Sequence, residues 1–203
     1  MKEIYITLAV EDYLSEVVAR KLLEQIDPDY RVSQCLCKGG QGYLKSRINN
    51  FNQAAEFIPF FVLTDQDRGC PPDKISSWLT QKAGKYLMFR IAVMEIESWV
   101  MADRDAFAKF ISISLDHMPQ KMDNLEDPKR FLLSLVSRSR SGRLRSDIMP
   151  ARGSTAIVGP DYNNRLSQFI QNHWNAFEAQ KNSESLRRAL FRIKEFKHKF
   201  TGV

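Results

Sequence analysis

Residues 58–64, Ile-Pro-Phe-Phe-Val-Leu-Thr, form a nearly continuous apolar run with no polar face. A strand of this kind must be covered on both sides, as a central strand of a parallel sheet is. Residues 4–10 (IYITLAV), 30–37 and 86–94 (YLMFRIAVM) are further β-rich runs, and each is followed by a segment of helical character. Leu14, Val17, Val18, Leu22 and Ile26 make one helical stripe, closed by Asp27-Pro28-Asp29. Further helices are expected over 43–56, 74–82 and 97–111. Strands alternating with helices imply an α/β fold: a Rossmann-like parallel sheet of about four strands with flanking helices and right-handed crossovers.

The pattern changes near residue 112. Residues 1–112 read as the α/β domain. Residues 113–203 read as a basic, mainly helical extension packed on it, with helices over 128–136, 162–179 and 183–200. Residues 137–145 (SRSRSGRLR) are low in complexity and are expected to be mobile. Charge divides along the same line. Residues 1–128 carry 15 Lys and Arg against 19 Asp and Glu, whereas residues 129–203 carry 15 against 5. A basic region on one part of a chain is the electrostatic footprint of a polyanion partner.

The acidic residues recur where strands end. Glu11 and Asp12 follow the first run, with Glu16 one turn later; Asp65 and Asp67 follow the third; Glu95 and Glu97 follow the fourth. In an open parallel sheet the carboxyl ends of the strands share one edge, and ligands bind in the crevice there. Carboxylates crowded together repel unless a cation neutralises them. An all-oxygen donor set suits Mg²⁺ or Mn²⁺, and a pair of such ions would stabilise both oxygens of an in-line phosphoryl displacement. A single acid after a strand is more often a helix cap, and Asp12 and Glu16 taken alone read that way.

The loop Gly39-Gly40-Gln41-Gly42 would let backbone N–H groups approach an anion at a helix start. It matches neither the dinucleotide fingerprint nor the phosphate loop of nucleoside triphosphatases. Cys35, Cys37 and Cys70 lack the spacing of a zinc site and read as reduced structural thiols. His117, His173 and His198 are scattered, and Trp78, Trp99 and Trp174 fall on apolar helix positions that suit a core. No run is long enough to cross a bilayer, and residues 4–10 are too short for a signal peptide. A cytoplasmic protein with no membrane contact is therefore expected.

A glutamate after the first strand, a glycine loop after the second and Asp-x-Asp after the third resemble the Toprim fold of topoisomerases, primases and OLD-family nucleases. Residues 9–16 (AVEDYLSE) and 94–103 (MEIESWVMAD) resemble a stand-alone bacterial Toprim-like family, some of whose members are paired with an ABC- or AAA-type ATPase in arrangements like antiphage defence systems. The tail resembles it through Gly159-Pro160-x-Tyr162. The resemblance implies a Mg²⁺-dependent nuclease or nickase acting on DNA, or else a catalytically weak module that binds nucleic acid or a nucleotide and regulates an ATPase. RNA or a small phosphorylated ligand is a third substrate class. Glu11 would be a metal ligand and general base, Asp65 and Asp67 metal ligands, and Glu16, Glu95 and Glu97 a second metal site or outer shell. Phosphate contacts are expected from Gly39, Gly40 and Gly42, from Lys38 and Arg152, and from Arg138, Arg140, Arg143 and Arg145. Many Toprim proteins carry glycine directly after the first glutamate; here Asp12 stands there.

Overall fold

In the computed structural model, which describes residues 3–66 and 69–201, Ile4–Val10 forms β1, and Tyr30–Leu36 (β2), Phe60–Asp65 (β3) and Leu87–Ala92 (β4) form the other strands. They make one parallel sheet in the order β2-β1-β3-β4. The apolar run at the centre has the burial its composition demands: Phe61, Val62 and Leu63 are fully enclosed. Side chains alternate between the two faces. Leu8, Val10, Phe61, Leu63 and Met88 join a large core with Tyr13–Ile26 (α1) and the C-terminal half of the chain. Ala9, Phe60, Val62, Leu87, Phe89 and Ile91 join a smaller core under Gly40–Ala54 (α2) and Pro71–Trp78 (α3). Because α1 and α2 lie on opposite faces, the strand order reverses between β1 and β3. That reversal opens a crevice at the strands' carboxyl ends.

The second half is more broken than periodicity suggests. The helix expected over 97–111 is two, Ile96–Ala102 (α4) and Arg104–Phe110 (α5). Asp103 divides them, because its carboxylate accepts from Ala106 N at 3.4 Å and from Asn175 N at 2.8 Å. The segment expected to be mobile is ordered. Pro128–Ser137 forms α6 and Gly142–Ile148 forms α7, with the Ser141 hydroxyl capping α7 by accepting from Leu144 N at 3.2 Å. Ser139 is buried between them, and Arg145 donates to its carbonyl. The serines that looked like low complexity are thus capping and turn residues. The helix expected over 162–179 also splits, into Tyr162–Asn172 (α8) and Ala176–Ala179 (α9), where Asn175 caps the second piece. Glu184–Thr201 forms α10, which packs along β4. Trp78, Trp99 and Trp174 are all buried, and the three cysteines are free thiols. Among the described residues no helix is long and apolar enough to cross a membrane.

Gly159 joins α7 to α8 at close quarters. Its N–H donates to Ile148 O at 2.8 Å, and a Cβ there would stand 2.5 Å from Asp147 O and 2.6 Å from Met149 O. Those are backbone atoms that cannot swing aside. Gly159→Ala should therefore destabilise the fold by roughly 1–3 kcal/mol, as overpacking does. Urea unfolding measures it, and an unchanged midpoint would show that the α7–α8 joint yields.

Candidate functional site

The crevice receives acids from three strand ends. Glu11 follows β1, Asp65 ends β3, and the pairing of Asp65 with Ala92 brings the end of β4, and with it Glu95 and Glu97, to the same edge. Glu11 is tied to β3: its Oε1 accepts from Asp65 N at 2.9 Å and from the Thr64 hydroxyl. Asp65 Oδ1 is enclosed and has no hydrogen-bond partner among the described residues. Burial pushes the Asp65 carboxyl well above the usual carboxylate range, and the charges of Glu11, Glu97, Asp12 and Glu95 push it further. Lys74 braces this strand end from α3, donating to Asp65 O and, at 3.1 Å, to Gln66 O.

The fourth strand leaves the sheet through a tight turn, with Met94 at φ 63°. Beyond it Glu97, in the first turn of α4, is 2% exposed. Its Oε1 accepts from the Tyr162 hydroxyl at 2.9 Å and lies 3.3 Å from Lys129 Nζ; its Oε2 is enclosed without a partner among the described residues. Burial raises the Glu97 carboxyl, although Lys129 works against it. Burial also drives the Tyr162 phenol far up, reinforced by the Glu97 charge. For Lys129, burial opposes the charged form, but Glu97 and Glu95 outweigh it and the ammonium is held more firmly than usual. The Glu95 carboxylate accepts from Lys129 N at 2.8 Å at the start of α6.

Other sequence candidates lie elsewhere or do other work. Asp12 caps α1 by accepting from Ser15 N at 2.8 Å, and Glu16 pairs with Arg20 at 2.7 Å. Asp67 lies outside the described residues. Gly39 and Gly40 have φ of 77° and 65°, and α2 starts without a side-chain cap, three residues earlier than periodicity suggests. Lys38, Arg138, Arg140, Arg143, Arg145 and Arg152 are exposed, and among the described residues none pairs with the carboxylates. Arg138 faces His117 Nδ1 at 3.4 Å. Among the described residues the cation that pairs with these carboxylates is Lys129, which sequence reasoning missed. Tyr162 was noticed only as part of a Gly-Pro-x-Tyr resemblance. Neither carries a spacing signal, because each reaches the crevice from a helix more than thirty residues away from Glu97.

Among the described residues no group of three or more His, Cys, Asp or Glu is gathered into a ready ligand set. Glu11 Oε1 and Glu97 Oε1 are instead held by protein donors. What remains fits a hard cation by donor chemistry. Asp65 Oδ1 and Glu97 Oε2 are enclosed carboxylate oxygens with no partner among the described residues, and such atoms are costly to leave unsatisfied.

No family model matches the chain, and no curated protein matches it. Among solved structures it is similar to the C-terminal region of the Burkholderia pseudomallei OLD protein, with 17% sequence identity, a TM-score of 0.43, and coverage of 94% of this chain and 97% of that one.

Proposed function

We propose that this chain is a Toprim-type, Mg²⁺- or Mn²⁺-dependent nuclease or nickase acting on DNA. The observation that carries the reading is the pair of enclosed carboxylate oxygens without a partner among the described residues, Asp65 Oδ1 and Glu97 Oε2, in a like-charged group at the sheet's switch point. Asp65 and Glu97, with Glu11 and Asp67, would hold the ion, and Glu95 and Glu16 would form the outer shell. Bound there, the ion would supply charge neutralisation at the phosphate and an activated water. The chain's own groups have separable tasks. Glu11, fixed by Asp65 N, would take the proton of the attacking water. Tyr162 orients Glu97, and Lys129 places positive charge where negative charge develops on the phosphate. The resemblance to defence-associated families supports an ATPase partner and an antiphage role.

One observation favours a second reading. Lys129 pairs with Glu97 at 3.3 Å and faces Glu95 at 3.9 Å, so part of the crevice's negative charge is balanced by the protein itself. A catalytically weak module that binds nucleic acid or a nucleotide and regulates an ATPase would be built this way. Incubation with supercoiled plasmid separates the two. The nuclease reading expects nicked or linear product with Mg²⁺ or Mn²⁺ and none with EDTA or in Asp65→Asn. Binding that survives EDTA, with no cleavage under any metal, would replace it with the second reading.

The basic extension should contact the phosphate backbone. Arg140 and Arg143 are exposed and their side chains have no bond among the described residues, whereas those of Arg145 and Arg138 are engaged. Replacing Arg140 and Arg143 with Gln should weaken duplex binding irrespective of sequence. It should also flatten the log–log salt slope by about two units, near 0.9 per lost contact. Wild-type affinity and slope in the double variant would move the DNA path elsewhere.

A further inference from the structure

A second cavity, of about 290 Å³, lies on the outer side of the edge strand β4, between α3 and the start of α10. Pro71, Ile75 and Val93 form an apolar wall, and Arg90 and Arg188 bring two guanidinium groups to it. Arg90 is the one charged residue in β4, and by strand alternation it shares the α10 face with Met88 and Ala92. A half-buried arginine in an apolar strand ordinarily has an acidic partner. Among the described residues Arg90 has none. Its Nε donates to Phe89 O at 2.6 Å, and among the described residues its terminal nitrogens have no bond. The nearest strong influences are repulsive. Burial brings its pKa down to about 10, and the charges of Arg192 and Arg188 add to the effect.

The two carboxylates at the cavity are already committed. Asp123 accepts from Ser185 N at 2.7 Å and from the hydroxyls of Ser183 and Ser185 at 2.6 and 3.2 Å, which caps α10. Glu184 accepts from Arg187 at 2.6 Å and from Arg188 Nε at 2.8 Å. Among the described residues neither forms an ion pair with Arg90, so its guanidinium stands beside the apolar wall without a bonded anion.

We propose that this cavity binds a phosphate group, gripped by Arg90 and the terminal nitrogens of Arg188, with the sugar or base that carries it packed against Pro71, Ile75 and Val93. Two guanidinium forks suit the geometry and double charge of phosphate better than they suit a lone carboxylate. The volume sits at the small end of ligand pockets, which run from roughly 300 Å³ upward, so it has room for about one nucleotide and not for a peptide helix. The phosphate belongs either to a free nucleotide or to a strand of nucleic acid. The site is independent of the carboxylate crevice and does not rest on the nuclease reading.

Calorimetric titration in EDTA removes any metal-bridged binding. The probes are inorganic phosphate, AMP and a short single-stranded DNA, against wild type, Arg90→Met and Arg188→Gln. Saturable binding of at least one probe to wild type, weakened roughly tenfold to a hundredfold in either variant, is the expected result. AMP binding more tightly than the oligonucleotide assigns a free nucleotide; the reverse order assigns a strand phosphate. Arg90→Met should melt no lower than wild type, because it removes a repelled charge; Arg188→Gln, on the surface of α10, is the variant to rely on if it does not fold. No saturable binding of any probe, or wild-type affinity in both variants, overturns the proposal. Asp65→Asn should bind the same probe as wild type does, so failure of the nuclease reading would leave this result standing.

Discussion

Asp65→Asn is expected to raise the melting temperature of the metal-free protein while abolishing metal-dependent cleavage. The carboxyl is pushed up first by burial and then by Glu11, Glu97, Asp12 and Glu95, so the folded state pays an electrostatic penalty for keeping it ionised. Asparagine keeps the shape and removes the charge. The gain should be roughly 1–2 kcal/mol, or about 3–6 °C for a chain of this length. The sign with pH follows from linkage. A carboxyl whose folded pKa lies above its unfolded value binds more protons in the folded state. Stability is therefore free of the penalty below the ordinary aspartate range near 4 and falls as pH rises from there toward the elevated folded pKa. The variant should lack that slope, so the two melting curves should converge at acid pH and separate toward neutrality. Added Mg²⁺ should reverse the order, since an ion that binds only the folded wild type stabilises it by mass action. A variant that melts lower in EDTA at pH 7 would show that Asp65 is a structural acid with compensation, and would take the metal reading down with it.

The fold was largely legible because its strands announce themselves. The run at 58–64 had to be central, and it is β3; the stripe from Leu14 to Ile26 had to face a sheet, and α1 lies on one. The errors came where one polar side chain overrides periodicity. Asp103 and Asn175 each cut a helix by capping the next segment, and both hydrogen-bond across the tertiary structure or within a turn that no hydrophobic count registers. The serine-arginine stretch misled for the same reason: capping serines and a buried Ser139 share their composition with mobile linkers. The placement of Glu11, Asp65, Glu95 and Glu97 was legible because strand ends are a topological address. Lys129 and Tyr162 were not, because they enter through helix packing, α6 on α4 and α8 on α1 and α7, and packing partners leave no local signature. Arg90 offered a signal that was passed over: a lone charge inside an otherwise apolar strand.

Lys129→Met is expected to cost more stability than any other single change in the crevice. Among the described residues it leaves Glu97 enclosed with one oxygen held by Tyr162 and the other without a partner. Breaking a buried ion pair from one side typically costs 3–5 kcal/mol; because the Lys129 side chain is 34% exposed while that of Glu97 is 3% exposed, water screens part of this. Roughly 2–4 kcal/mol, or a melting point about 5–15 °C lower, is the discounted expectation. The pH dependence distinguishes charge from packing. Glu97 already titrates above the ordinary glutamate value through burial, and without the opposing Lys129 charge it would move higher. Its folded form then binds a proton the unfolded chain does not, so the variant should regain stability as pH falls from neutral toward the ordinary glutamate range near 4. Wild type should show the complementary feature at the alkaline end. Lys129 is raised, so its contribution is complete below the ordinary lysine value and is lost as pH climbs through the raised one. Adding Glu97→Gln to Lys129→Met should recover most of the loss, because a neutral amide keeps the Tyr162 hydrogen bond without a buried charge. A double variant as unstable as Lys129→Met alone, with no recovery at low pH, would mean that the lysine stem's packing against α4 is what holds this corner, and that Glu97 is not the charge the crevice is built around.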